Sequence, residues 1–173
     1  MDWPTAELIE TARLRLDPLR VRDADQMASV LDDPSLYEYT GGRPETREQL
    51  RARYARQVAG RSPDGAQGWL NWIVRHRESG AIVGTVQATL SRERGRLAAE
   101  LAWVTASAHQ HNGYAREAAT AMVAWLRGQG VEAVVAHVHP EHAASIRVAR
   151  HLGLTPGATR ADGEVRWGSG SPP

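Results

Sequence analysis

The sequence predicts an α/β (α+β) fold built on one mixed, mostly antiparallel sheet. Two observations carry this expectation. Hydrophobic spacing alternates along the chain between the period of two that suits a strand and the 3.6 that suits a helix. Strands also sit on both sides of one long helical stretch, a crossover that makes that pair of strands parallel within the sheet. The 173 residues suit a single domain with one main core, expected over residues 8–167, followed by a Gly/Ser/Pro tail at 168–173 that reads as flexible.

The elements follow in order. Ala12, Leu14 and Leu16 alternate with Arg13, Arg15 and Asp17, as in a half-buried strand, and Pro18 closes it. A short helix is expected at 23–31. A second helix is expected at 45–58, where Leu50, Tyr54 and Val58 recur every four residues, its outward side is rich in Arg, and Gly60 stops it. Strands at 69–75 and 81–90 join at Glu78-Ser79-Gly80, and a third at 97–104 follows the charged turn Arg92-Glu93-Arg94. A helix at 113–127 places Ala118, Met122 and Trp125 on one face. The apolar run at 131–138 predicts a strand buried on both faces. A helix at 143–152 stops at Gly153, and residues 159–167 form a last strand.

Composition narrows the chemistry. All 21 basic residues counted as Lys plus Arg are Arg, and Cys and Phe are absent. Without Lys there is no P-loop lysine and no Schiff base, and without Cys no thiolate nucleophile, disulfide or cysteine zinc site. Catalysis falls to His, Asp/Glu, Ser/Thr, Tyr, Arg or the backbone. A net charge of +1 does not point to a polyanion partner. The opening Met-Asp-Trp-Pro has no cationic leader, and no apolar run approaches the ~20 residues of a membrane span, so a cytoplasmic protein without membrane association is expected.

Two segments carry the functional signal. In the first, residues 104–118, a strand turns through small residues into a helix with Gln110, Gly113 and Ala115 at Q-x-x-G-x-A spacing. Free amides at a helix start, reinforced by the dipole, hold an anion without any Lys. The second, residues 137–154, contains Ser145-Ile146-Arg147-Val148 and ends in Leu152-Gly153-Leu154. Together they resemble the GNAT N-acetyltransferase superfamily, whose acetyl-CoA signature is (Q/R)-x-x-G-x-(G/A) and whose second motif reads N-x-x-S-I-R-V-x-x-x-L-G-F. Glu10-Thr11-Ala12-Arg13-Leu14-Arg15-Leu16 and Tyr39-Thr40-Gly41-Gly42 resemble its RimJ/RimL-like branch of ribosomal-protein serine and alanine acetyltransferases.

The resemblance implies a GNAT fold with a splayed parallel strand pair, acetyl-CoA as co-substrate, an amine as acceptor, and a homodimer as the superfamily habit. It assigns the CoA pyrophosphate to the loop of Gln110 and the amides of His111, Asn112, Gly113, Tyr114, Ala115 and Arg116. It assigns the pantetheine to the backbone of Val104 and Ala106, and a place near the CoA sulfur to the Ser145 hydroxyl. Three positions depart from the pattern: His142 stands where Asn is usual, Ala149 where some relatives have an acidic Tyr, and Leu154 where Phe is usual. Two bases are open. Glu100 lies in an apolar run that would raise its pKa, with a cross-strand Arg pairing as the competing structural role, and His137 lies on the facing strand.

Other readings compete less well. His137, His139 and His142 allow a zinc site, but Pro140 interrupts them and no metal is expected. Arg43, Arg47 and Arg51 share a helix face, which reads as solvated and charge-laced rather than as a nucleic-acid surface. Arg116, Arg147 and Arg150 lie where the CoA phosphates could use them. Trp69, Trp72, Trp103 and Trp125 read as core in place of Phe. A non-catalytic acetyl-CoA-binding module with the same fold is the alternative to an enzyme.

Overall fold

Alternation and helical spacing resolve into eight strands and four α-helices in the computed structural model, which describes residues 2–169. In chain order these are β1 (Ile9–Glu10), β2 (Leu14–Pro18), α1 (Ala24–Val30), α2 (Arg47–Gln57), β3 (Gly68–His76), β4 (Ile82–Glu93), β5 (Arg96–Thr105), α3 (Tyr114–Gly128), β6 (Ala133–Val138), α4 (Ala143–His151), β7 (Thr155–Thr159) and β8 (Val165–Gly168). They form one sheet in the order β1-β2-β3-β4-β5-β6-β8-β7. Every pairing is antiparallel except β5–β6, the pair joined through α3, as the crossover requires.

Each helix covers part of one sheet face. Leu14, Leu16, Trp72, Val86, Leu101 and Val134 pack with Ala118, Met122 and Leu126 of α3 and Ala149 of α4 in the larger core. On the other face α1 and α2 bury Met27, Leu50 and Tyr54 against Ile73. The α2 start is locally encoded: the Thr46 hydroxyl accepts from the Gln49 amide (3.1 Å) while the Gln49 side chain accepts from the Thr46 amide (2.9 Å), a reciprocal cap. Its Arg face is charge-laced, with Arg51 on Asp25 at 2.8 Å and Arg53 on Glu45 at 2.9 Å.

Four expectations are revised. The β4–β5 turn falls at Arg94-Gly95, both at positive φ (51° and 82°), a two-residue hairpin whose twist suits the strands, so β4 continues through Arg92 and Glu93. In β6, buried Val134, Ala136 and Val138 alternate with half-buried neighbours, because α1 and α2 leave that face of the strand partly open. The last strand is a hairpin, with Gly163 at φ 89° in its turn. Its arm β7 is exposed throughout and carries Pro156, tolerated at an edge, so it has no apolar pattern to read. Gly168 ends β8, and the Ser169 amide donates to Val134 (3.0 Å), so these two residues of the expected tail are held in the sheet. Residues 170–173 lie outside the described ones. Among the described residues no helix is long and apolar enough to cross a membrane.

Candidate active site

The parallel ladder ends at Leu101 and Ala136, yet β5 runs on to Thr105 and β6 to Val138. The strands therefore part, and the residues singled out in the sequence gather around the opening. From the β6 side the Glu132 amide donates to the Leu97 carbonyl (2.8 Å), and on the β4 side the Ala106 amide donates to Val83 (2.9 Å). The β4–β5 register is unbroken between them. Ladder alternation then turns the peptide groups of Val104 toward β4 and those of Trp103 and Thr105 into the opening. Val104 and Ala106 were expected to offer their backbone there. The structure shifts that edge by one residue, because the Ala106 amide is spent on Val83 and its carbonyl on the His109 amide (2.8 Å). Gly84 makes the arrangement possible: a Cβ there would lie 2.0 Å from the Val104 carbonyl oxygen.

Beyond the opening, the chain enters α3 through two left-handed residues, His111 (φ 64°) and Gly113 (φ 77°), with Gly113 as the helix cap. The Asn112 side chain stiffens the loop by donating to the carbonyls of His109 and Gln110 (both 3.1 Å), and Gln110 donates to the Thr105 carbonyl (3.2 Å). The first amide to close a helical bond is that of Glu117, to Gly113 (3.1 Å), so the amides of Tyr114, Ala115 and Arg116 precede the hydrogen-bonded turns. Arg116 is exposed.

The loop is tied to the far edge of the sheet. Arg13 donates to Glu117 (2.7 Å) and to the Asn112 carbonyl (3.0 Å), and its guanidinium lies 4.6 Å from the Tyr114 ring centre. Glu117 also accepts from the Thr11 hydroxyl (2.7 Å) and the Arg13 amide (2.9 Å). Burial pushes the Glu117 carboxyl up, but these donors outweigh it and hold the carboxyl below its ordinary value.

On the α1–α2 face, Glu100 and His137 are one unit: Glu100 Oε1 lies 2.9 Å from His137 Nδ1. The apolar run around Glu100 does not bury it. Its side chain is 54% exposed and that of His137 16%, because strand alternation sends the flanking Leu101 and Ala99 to the opposite face. Its partner is His137 rather than an Arg across the sheet.

On the opposite face, the Trp103 indole N–H donates to Ser145 Oγ (3.2 Å), and Ser145 Oγ lies 3.4 Å from His142 Nε2. His142 stacks on Tyr39 with centroids 4.5 Å apart and 14° between planes, and Tyr39 also meets His139 at 5.2 Å. Burial, helped by neighbouring His139 and opposed by Glu38, pushes His142 down. Tyr39 belongs to a loop whose other end is pinned across the opening: Asp33 accepts from the Ser107 hydroxyl and from the Ser35 amide (2.9 Å), which holds its carboxyl below the usual value.

Sequence reasoning missed the parts played by Trp103, Arg13 and Gly84, and gave Tyr39 no contact. Trp103 followed the strand period and read as core, and Arg13 meets Glu117 only in three dimensions. His137, His139 and His142 have separate hydrogen-bond partners: His137 meets Glu100, His139 accepts from the Glu141 amide (3.1 Å), and His142 meets Ser145. No cluster of three His, Asp or Glu side chains suited to a metal occurs among the described residues.

The site is thus a parting parallel pair whose first strand runs through a glycine-capped loop into a helix, and comparison with known proteins gives the family. The acetyltransferase (GNAT) domain family matches residues 13–155. The chain belongs to the GNAT acetyltransferases. Such enzymes take their acetyl group from acetyl-CoA, and the glycine-capped loop, with Ala115 leaving the backbone open, fits a phosphate-bearing donor. Solved structures agree in fold. A GNAT-family acetyltransferase from Bacillus anthracis superposes with a TM-score of 0.76 at 18% identity, covering 94% of this chain and 98% of the other. RimL, a ribosomal L7/L12 alpha-N-protein acetyltransferase in complex with coenzyme A, gives 0.77 at 15% identity over 94% and 97%. The ribosomal-protein-S5-alanine acetyltransferase of Vibrio fischeri gives 0.76 at 18% over 94% and 96%. No curated protein matches the chain.

Proposed function

We propose that this GNAT transfers the acetyl group of acetyl-CoA to a primary amine, on a protein N-terminus or a small molecule, by direct attack and without an acyl-enzyme. The observation that carries this reading is the placement of two polar units on opposite faces of one opening: Glu100–His137 on the α1–α2 face and Ser145 on the α3–α4 face. An amine entering from the first face and a sulfur leaving toward the second would meet a proton acceptor and a hydrogen-bond donor in turn. The absence of Cys removes the usual acyl-enzyme nucleophile.

The donor lies with its pyrophosphate against the amides of the Gln110–Arg116 loop. Its pantetheine runs along the peptide edge of Trp103 and Thr105 as an added strand would. A carboxylate only accepts, so the His137 ring proton sits on Nδ1 toward Glu100 and leaves Nε2 as the acceptor for the amine proton. Glu100 orients His137 and stabilises the cation that forms. The nitrogen–carbon bond forms as the carbon–sulfur bond breaks, and the electron pair passes to sulfur, where Ser145 donates its hydrogen bond. The relatives named for α-amino acetylation of ribosomal proteins make N-terminal peptides the first acceptors to try.

The test is acetyl-CoA calorimetry followed by release of free CoA with a panel of N-terminal peptides, amino acids, polyamines and aminoglycosides. Acetyl-CoA binding with turnover on at least one amine is expected. Glu100→Gln should lower turnover by roughly 10²-fold with acetyl-CoA affinity unchanged, and adding a His137 substitution should cost little more, as residues acting as a unit do. No heat on acetyl-CoA addition would overturn the reading, and binding without turnover on any amine would favour the non-catalytic module.

A further inference from the structure

Trp103 is the one indole of β5, and its place is not explained by core packing alone. It is half-buried, it lies beyond the last β5–β6 pair, and its ring crosses to α4 to reach Ser145. An indole N–H can only donate, so Ser145 Oγ is the acceptor at 3.2 Å. The hydroxyl proton must then point elsewhere. Two directions remain: His142 Nε2 at 3.4 Å, and the opening between the strands. His142 is held by its stack on Tyr39, and with its basicity lowered by burial it offers a neutral ring nitrogen as the resting acceptor.

We propose that Trp103 is a positioning residue for the leaving thiolate, acting through Ser145: its N–H fixes the hydroxyl and strengthens it as a donor, while His142 accepts from that hydroxyl until sulfur charge develops. The inference rests on the acetyl-transfer reading above. Its physical basis is that a hydroxyl already accepting a hydrogen bond becomes a stronger donor, and that a donor aimed beforehand at developing charge costs no reorganisation. During transfer the amine nitrogen bonds to the acyl carbon, the carbon–sulfur bond breaks, and sulfur keeps the electron pair. Ser145 then turns its O–H from His142 to the sulfur without losing the proton, and the thiolate is protonated from solvent after release. The same geometry explains how His142 serves where the family has Asn: it need only accept weakly and yield.

The test is a double-mutant cycle of Trp103→Phe and Ser145→Ala, read as kcat at saturating acetyl-CoA and as acetyl-CoA affinity by calorimetry. Trp103→Phe should lower kcat by about tenfold, the scale of one hydrogen bond to developing charge. Acetyl-CoA affinity should stay within about twofold, and in the Ser145→Ala background the same change should cost less than about twofold. Trp103→His keeps a ring N–H and should restore part of the rate, and Trp103→Leu, which also lacks the N–H, serves in place of the Phe variant if that variant does not fold. Equal losses in both backgrounds, or a Trp103→Phe kcat within about twofold of wild type, would assign the ring to packing and overturn the proposal. Wild-type protein that releases no CoA with any amine would overturn the acetyl-transfer reading itself, and would do so before any variant is compared.

Discussion

On the α3 side of the opening the groups assigned to the donor by the proposed function are peptide amides, placed by one short loop and tied by Arg13 and Glu117 to the sheet edge. On the α1–α2 side the groups assigned to the amine are the side chains of Glu100 and His137 from two strands, and the long loop between α1 and α2 reaches across the opening with Tyr39 and Asp33. Backbone groups are set by fold and by a few residues with a special conformation, such as Gly113. Side-chain groups depend on contacts between elements far apart in sequence. The first kind of site tolerates changes in most of its residues and fails at few. The second can be altered piece by piece, which suits the part of an enzyme that selects among acceptors.

The sharpest way to break this contrast is at Gly84. A side chain there meets the Val104 carbonyl at 2.0 Å, and the neighbour is backbone, which cannot turn aside. Gly84→Val should force the end of β5 outward and displace the peptide groups of Trp103 and Thr105. Overpacking of this kind costs roughly 1–3 kcal/mol or more. A lowered Tm and loss of measurable acetyl-CoA heat are expected by thermal melting and calorimetry. A variant that binds acetyl-CoA like wild type would show that the cofactor side does not depend on the peptide edge of β5.

Smaller and opposite effects should separate the two sides. Arg13→Ala removes the guanidinium's bonds to Glu117 and Asn112 and its contact over Tyr114 while the Arg13 amide bond to Glu117 stays, so acetyl-CoA affinity should fall by about tenfold with kcat at saturation little changed. Tyr39→Ala should instead leave acetyl-CoA affinity alone and lower kcat/KM for the amine by about tenfold, because the loop loses its stack on His142. Calorimetry and steady-state kinetics on the same two variants distinguish the outcomes, and a matching pattern in both would erase the distinction.

The same contrast explains what could be read from the chain. The alternating segments, the 113–127 helix and the Gln110-Gly113-Ala115 loop are local patterns, so the sheet, its parallel pair and the glycine-capped turn into α3 were legible. Glu100 and His137 were both singled out, yet as rivals, since their 2.9 Å contact depends on the register of two strands separated by α3. Register also decides which face of a strand's backbone is free, and the displacement from Val104 to Trp103 and Thr105 followed from one amide spent on Val83. The hairpin of β7 and β8 was read as one strand because an edge strand exposed on both faces carries no hydrophobic alternation. The strand period of Trp103 points to core, since periodicity cannot show that an indole N–H reaches a helix to meet Ser145.

The smallest effect, and the finest comparison of the two sides, is in acid. Glu117 and Asp33 both have carboxyls held below their ordinary values of 4.5 and 3.8. A carboxyl depressed in the folded state adds stability that is complete above its unfolded value and is lost as pH falls through the folded one. Wild type should therefore exceed Glu117→Gln in urea midpoint at neutral pH, with the gap closing as pH drops below about 4.5 and vanishing once Glu117 is protonated. Asp33→Asn should show the same sign but a shallower slope, since its carboxylate is solvated and its bonds compete with water, whereas Glu117 is partly buried beneath Thr11 and Arg13. Adding acetyl-CoA should widen the Glu117 gap, because ligand binding draws on the same loop, and leave the Asp33 gap as it was. A ligand response of equal size at both carboxyls would mean that the loop carrying Asp33 responds to the donor through its hydrogen bond with Ser107.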